Sequence, residues 1–433
     1  MFSTSQEVYE YLSSFINLER KLEPVEYRLD RMCYLRRLFA FPDEAFKTIH
    51  VTGSKGKGST ATLVSSILQS AGFKTGLFTS PHLLSFTERI CVDSIPVADE
   101  VLLPCAETLR ETIPERRPLP IKDFEYPTFF ELLTILAFLC FKKAGCDYAV
   151  IEVGLGGRLD TTNVITPELC IITSIELEHT EILGTTIEQI AFEKAGIIKS
   201  LVPVVSSVQK PEAQSVIYKK AYESCAPLIE TFRNCTDIHT CHNTQGLVIS
   251  WSYGSGKHTV QTSLLNGSQV SNVLSAFYAG KKLGIPETIV MEGIAKTTLS
   301  ARFQLIKGSP VLIIDGAHTE DSIAYTVAAY KDLFSTPCVL LFGTAKDKHS
   351  AKMLEKLSAI STTAIITKPG TFKESEPDRL CLEAEACGFA CEKMEDTRKA
   401  FLRAREVAAN AGLPLLVCGS FYLCAEVLAL VSG

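Results

Sequence analysis

The stretch from Lys47 to Thr60 constrains this chain more than any other. It reads KTIHVT-GSKGKGST: a short run rich in β-branched residues, a glycine-rich loop with two lysines, then a stretch of helical periodicity. Strand, glycine loop and helix in that order form the frame of a phosphate cradle. Glycines let backbone N–H groups approach phosphate oxygens, and the helix N-terminus adds a favourable dipole. Gly53, Gly56 and Gly58 supply the backbone freedom and Lys57 the charge for β and γ oxygens. Ser59 or Thr60 supplies a hydroxyl for phosphate or Mg²⁺. The spacing departs from G-x-x-x-x-G-K-[ST], because Gly58 separates Lys57 from Ser59. It also departs from G-x-G-x-x-G and lacks an acidic ribose partner at the usual distance, which makes a dinucleotide site the runner-up. A polar surface turn is the bland alternative. ATP is the expected ligand.

Elsewhere apolar strands alternate with helical patterns, which predicts α/β layers and a largely parallel sheet. Helices are expected over 5–40, 60–71 (closed by Gly72), 128–144, 186–199 and 271–298. Strands are expected at 47–52, 75–79, 147–153 and 168–175, with hairpins at 89–97 and 245–265. Residues 111–127 carry four prolines and read as a mobile loop. A fresh set of strands at 302–306, 311–315, 338–342, 363–367 and 414–418 predicts a second doubly wound domain. The expected architecture is a P-loop ATPase-like N-terminal domain with a parallel sheet over 1–299. A smaller Rossmann-like C-terminal domain is expected over 300–433.

Composition excludes some functions. Lys and Arg total 43 against 49 Asp and Glu, a net charge of −6, so no basic excess is present to neutralise nucleic-acid phosphates. The start, MFSTSQEVYEYLSS, has neither the basic nor the apolar region of a secretory signal. The longest apolar run, Phe129–Phe141, contains Glu131 and is too short to span a bilayer. Fifteen scattered cysteines, an odd number, read as reduced apolar residues in a cytoplasmic protein. Cys235, His239, Cys241 and His242 cluster, but without the ligand pairing of a zinc site.

Three further segments end strands of the first sheet. Ser80 lies in TSPHL, Glu152 at the head of EVGLGGRLDTTN, and His179 in IELEH. Ligands gather at the carboxyl ends of parallel strands. A nucleotide needs Mg²⁺, which takes hard oxygen ligands; Ser80 and Glu152 fit that directly, His179 as a softer ligand. A buried carboxylate on so apolar a strand is costly without a partner, which marks Glu152 as functional.

Together these segments resemble the folylpolyglutamate synthase/dihydrofolate synthase branch of the Mur ligase superfamily. The resemblance runs in the family's order through YRLDRM (27–32), HVTGSKGKGST (50–60), TSPHL (79–83), ERI (88–90) and TFFELLT (128–134). It continues with EVGLGGRLDTTN (152–163), TSIELEHTEILG (173–184), EKAGIIK (193–199), SNVLSA (271–276), ARFQ (301–304), DGAH (315–318), KDK (346–348) and CGSFYL (418–423). It implies an ATP-dependent amide ligase. A substrate carboxylate becomes an acyl phosphate, L-glutamate's amine attacks it, and ADP and phosphate leave. The expected acceptors are dihydropteroate and, further, tetrahydrofolate polyglutamates.

By the same resemblance Ser80, Glu152 and His179 are Mg²⁺ ligands. Lys194 matches a lysine carbamylated in relatives, which would bind a second divalent or monovalent cation. Lys57, Lys194 and His318 are the expected catalytic residues; Asn272, Arg302 and Asp315 match nucleotide contacts. Phe129, Phe130 and Glu131, with Leu159, Asp160 and Thr161, match the pterin region. Nucleotide contacts from both domains imply closure over ATP. A monomer is expected, with no nucleic-acid or membrane partner. Lys55, Glu178, Thr319 and Arg28 depart from the residues common in relatives, without removing a ligand. A synthase acting on folates only is one alternative. A cell-wall peptide ligase is another, but only about 50 residues precede the loop, too few for that branch's extra N-terminal domain.

Overall fold

A computed structural model describes residues 1–17, 28–114, 119, 126–243, 246–370 and 374–432. The chain forms two compact units. One comprises Met1–Ile238, Trp251–His258 and Ser271–Thr297, the other His239–Ser250, Thr259–Val270 and Thr298–Gly433.

The first unit is built on an eight-stranded sheet. Its strands are β1 (Lys47–Thr52), β2 (Thr75–Phe78), β3 (Ile90–Val92), β4 (Ile95–Pro96), β5 (Tyr148–Glu152), β6 (Leu169–Ile172), β7 (Val204–Ser206) and β8 (Leu228–Glu230). They lie in the order β4-β3-β2-β5-β1-β6-β7-β8. β3 pairs antiparallel with both β2 and β4 at one edge; every other neighbouring pair is parallel. Parallel strands need crossovers, and helices covering both faces bury the sheet. That is why β1, β5 and β6 read as continuous apolar runs: all their residues except Lys47 are buried.

The apolar run at 129–141 is the core of the helix Phe129–Ala144. Thr128 and Glu131 close a capping box at its start, and Gly145 ends it at φ +70°. Leu132, Leu136 and Phe138 are fully buried, each contributing roughly 1.5–3 kcal/mol. The helix lies so close to β2 that a Cβ on Gly76 would stand 2.6 Å from the Phe141 ring.

Three strands, β9 (Thr236–Asn243), β10 (Gly246–Tyr253) and β11 (Gly256–Thr262), make a separate sheet. The second unit carries β12 (Gln304–Ile306), β13 (Leu312–Ile314), β14 (Cys338–Phe342), β15 (Ser361–Ile366), β16 (Ala390–Lys393) and β17 (Leu415–Cys418). Their order is β12-β13-β17-β14-β15-β16, with only β12 antiparallel. Here, too, helices alternate with parallel strands.

Several expectations shift. The helix expected from Thr60 begins at Lys57, because Gly56, at φ +84°, turns the chain directly into it. The expected 5–40 helix is two helices, Ser5–Ser13 and Asp30–Leu38, and 18–27 lie outside the described residues. The segment expected as loop from 111 begins inside the helix Asp99–Thr112, and most of its remainder (115–118 and 120–125) also lies outside them. β7, β8 and β16 were not foreseen; each is short. Among the described residues no helix is long and apolar enough to cross a membrane.

His50 on β1 is fully buried, and burial, helped by the charge of Lys199, pulls its imidazole down to about 3. The folded chain thus keeps His50 neutral where an unfolded chain protonates it, below the ordinary imidazole value of 6.5. The unfolded state binds more protons over that window, so stability falls as pH drops through it. His50→Gln is expected to lose about 2 kcal/mol less stability than the parent between pH 7 and pH 5, read by urea unfolding.

Candidate active site

Register brings four strand ends together. Thr52 lies beside Ile172, Val51 beside Glu152, and Phe78 beside Ile151. The segments leaving β1, β2, β5 and β6 therefore emerge along one edge of the sheet. Chain order reverses at β1, where such sheets open a crevice for ligands.

The glycine loop is shaped by close approach. At Gly53, φ +149°, a Cβ would stand 1.7 Å from Thr173 Oγ1; at Gly56 it would stand 2.2 Å from Asn272 Oδ1. No other residue fits either place. Thr173 Oγ1 donates to Lys55 O at 2.6 Å and Ser54 N to Ser174 O at 2.6 Å, tying the loop to the end of β6. Thr60 Oγ1 donates to Asn272 Oδ1 at 3.2 Å. Ser59 and Thr60 are buried in the first turn of the helix Lys57–Ser70. Lys57 Nζ and Lys194 Nζ both donate to the Gly53 carbonyl, at 3.0 and 2.8 Å.

Glu152 ends β5, 3% exposed, and its Oε2 accepts the Ser80 backbone N–H at 3.0 Å. A Cβ on Gly58 would stand 3.3 Å from the same oxygen, so the carboxylate lies against the first turn after the loop. The Ser80 hydroxyl and the Glu152 carboxylate are the hard oxygens that suit Mg²⁺. His179 sits at φ +46° ahead of the short helix Thr180–Leu183. Burial lowers its imidazole, Glu178 opposes, and Lys57 and Lys194 add to the lowering.

Lys194, in the helix Ile187–Ala195, is 1% exposed and pairs with Glu178 at 2.9 Å. Burial, then the charge of Lys57, pulls its ammonium down to about 8 against the pull of Glu178. Burial pushes the Glu178 carboxyl up, but Lys194 and Lys57 outweigh it and hold the group below its ordinary value. Among the described residues no three His, Cys, Asp or Glu side chains gather as a metal site.

The glycines of EVGLGGRLD have a packing cause. A Cβ on Gly157 would stand 2.9 Å from Glu193 O, and one on Gly196 would stand 2.4 Å from Arg158 Cα. The loop thus lies backbone to backbone on the helix that carries Lys194, and Arg158 pairs with Glu193 at 2.8 Å.

The residues matched to a pterin region divide in role. The Phe130 ring lies over Gly154, where a Cβ would stand 2.6 Å away, and 5.7 Å from the Phe78 ring. Phe129 is buried, with the Tyr9 ring 6.1 Å away edge-on and the Arg89 guanidinium 5.7 Å away. Glu131 is held by the fold: Oε1 accepts from Arg31 Nε at 2.9 Å and Oε2 from Thr128 N at 2.7 Å. Asp160 is buried, accepting from Leu155 N, Thr162 N and the Thr162 hydroxyl. Thr161 Oγ1 lies 2.8 Å from Thr134 Oγ1, and Leu159 is half-buried.

Asn272 belongs to the first unit; Arg302, Asp315 and His318 belong to the second. Asp315 follows β13 and is buried; it accepts from Thr326 Oγ1 at 2.7 Å and Asn266 Nδ2 at 3.3 Å. Burial raises its carboxyl, against the pull of Thr326 and Arg302. Arg302 stacks 4.2 Å above the Phe421 ring, and His318 meets the same ring edge-on at 5.6 Å. Phe421 thus gathers two of the matched residues. It lies within CGSFYL, whose sequence assigns it no role. The sequence likewise assigns no site role to Arg31, Thr162 or His50. Each is apolar or paired by long-range contacts, so local pattern carried no signal. The Cys235 to His242 group does not converge: Cys235 Sγ donates to Tyr278 Oη at 3.3 Å, and His242 Nε2 bonds Leu265 O at 2.7 Å.

Residues 51–280 match the family model of the Mur ligase middle domain, and 301–421 that of the Mur ligase glutamate ligase domain. A dihydrofolate synthase/folylpolyglutamate synthase of Bacillus subtilis (strain 168) is 34% identical over 346 residues, covering 77% of this chain and 79% of that protein. The crystal structure of a folylpolyglutamate synthase from Thermotoga maritima superposes with a TM-score of 0.85 at 29% identity, covering 99% and 96% of the two chains. An FPGS–AMPPCP–folate complex gives 0.81 at 29% identity, covering 99% of each chain.

Proposed function

Because this chain belongs to the dihydrofolate synthase/folylpolyglutamate synthase family of ATP-dependent Mur-type ligases, we propose that it joins L-glutamate to dihydropteroate and extends tetrahydrofolate polyglutamates. The observation that carries this reading is the buried Glu152 carboxylate, set against a glycine cradle on which Lys57 and Lys194 converge. A carboxylate resists attack by an amine because it lacks a leaving group; phosphorylation supplies one. The enzyme then has little covalent chemistry to do, and works by positioning reactants and stabilising phosphoryl charge.

The cradle amides and Lys57 hold the ATP phosphates. Asn272, Arg302, Asp315 and His318 contribute further nucleotide contacts, and 300–433 serves as the ligase domain. Ser80 and Glu152, with His179, would hold Mg²⁺, which neutralises charge on the transferring phosphoryl group. Lys194, with its amine near 8, holds a neutral fraction, the form from which a carbamate is made. Its carbamate would take the second cation. Phe129, Phe130, Leu159, Asp160 and Thr161 frame the pterin. The reading further places the protein in the cytoplasm as a monomer without membrane or nucleic-acid partners.

The test is paired. Purified protein with ATP, Mg²⁺ and L-glutamate is expected to release ADP with dihydropteroate and with tetrahydrofolate. Turnover with tetrahydrofolate alone would reduce the enzyme to a folate-extending synthase. No glutamate-dependent ADP release with either would overturn the reading.

A further inference from the structure

Asp160 receives more hydrogen bonds than a capping role needs. It precedes the short 3₁₀ turn Thr161–Val164, and its Oδ1 accepts the Thr162 backbone N–H at 3.0 Å, which satisfies the cap. The same oxygen also accepts the Thr162 hydroxyl at 2.5 Å, while Oδ2 accepts Leu155 N at 2.9 Å. A hydroxyl has one proton to give. Having given it to Asp160, Thr162 Oγ1 can only accept from its second neighbour, His50 Nε2, 2.8 Å away.

That assigns the histidine tautomer. His50 must carry its proton on Nε2, leaving Nδ1 a bare acceptor. Among the described residues the buried Nδ1 has no partner, which suits a bare lone pair better than a stranded N–H. All three side chains are at most 6% exposed, so no solvent competes for these bonds. The chain is one-directional: His50 Nε2–H to Thr162 Oγ1–H to Asp160 Oδ1. It crosses from β1, two positions before its phosphate-loop end at Thr52, to the loop beside Phe130 and Gly154.

We infer that His50 and Thr162 are positioning residues that fix the carboxylate of Asp160 in one rotamer, and with it the 155–160 loop that the proposed function sets against a flat heterocyclic substrate. The inference rests on the pterin reading of this site. Neither residue touches the substrate; both act through Asp160. With two donors locked on Oδ1 and at least one on Oδ2, the carboxylate cannot swing, so the loop it holds needs little ordering when a substrate binds against it.

Thr162→Val removes the hydroxyl at nearly constant volume. It is expected to raise KM for dihydropteroate about tenfold, as for one lost hydrogen bond to a charged group, and to leave KM for ATP within about twofold. Thr162→Ser is expected to restore the parent KM. His50→Gln, whose amide can still donate to Thr162, is expected to stay near the parent, and His50→Leu to follow Thr162→Val. Equal changes in every KM, or no change in any, would overturn the inference and leave a merely structural network. Should the valine variant fail to fold, the serine, glutamine and leucine variants still decide. The ¹⁵N resonances of His50 in the parent provide a readout independent of turnover. The Nε2–H tautomer is expected, and the Nδ1–H tautomer would overturn the inference. If the parent shows the Nε2–H tautomer yet turns over no pterin, the pterin reading fails and the network stands.

Discussion

Lys57→Ala is expected to lower turnover by roughly 10³-fold or more while the protein unfolds within a few degrees of the parent. The side chain is partly exposed, and its 3.0 Å hydrogen bond to the Gly53 carbonyl is worth about 1 kcal/mol. Its value lies in the field it places where phosphoryl charge develops, which matters little for folding. Steady-state ADP release beside a thermal melt separates the two. Near-parental turnover would remove Lys57 from the chemistry, and a large fall in melting temperature would make it a structural residue. Arg is a poorer replacement than it looks. Lys57 opens the helix with its ammonium folded back on the loop, and a planar guanidinium would not fit a point-charge site.

Glu131→Ala is expected to act in the opposite way, destabilising the first unit by roughly 3–5 kcal/mol and lowering its melting temperature by roughly 6–20 °C. The substitution takes from Arg31, which is 2% exposed, the carboxylate it pairs with at 2.9 Å, and opens the capping box of the helix Phe129–Ala144. Arg31→Met is expected to cost less. Burial already raises the Glu131 carboxyl, so without its cation it can take a proton and stay neutral. The double replacement Arg31→Met with Glu131→Leu is expected to recover part of the loss, because it removes both charges of the pair together. A differential scanning measurement on the three variants checks the order. If Glu131→Ala melted like the parent and raised only the pterin KM, the glutamate would be a substrate contact after all.

The two residues show why neighbouring parts of one motif differ in legibility. Lys57 was readable because a glycine loop between a β-branched run and a helix has a purpose that sequence spacing reveals. Glu131 sits in TFFELLT beside two phenylalanines, and the resemblance placed all three in the substrate region. Its partner Arg31 lies 100 positions away, and no local pattern links them. The same holds for Asp160, whose support runs through Thr162 to His50 on another strand. EVGLGGRLD was readable as a marker, yet the reason for its glycines, backbone contact with the helix bearing Lys194, required coordinates.

The sequence by itself determined the alternation of apolar strands and helices, the phosphate loop and the order of the site segments. These follow from side-chain periodicity and glycine placement, which act over a few residues. Tertiary structure alone decided which strand ends meet. Placing β1 between β5 and β6 brings Gly58 against Glu152 and Gly53 beneath both lysines. It also decided which polar groups are locked by partners far along the chain, because burial makes a charge depend on its neighbours in space.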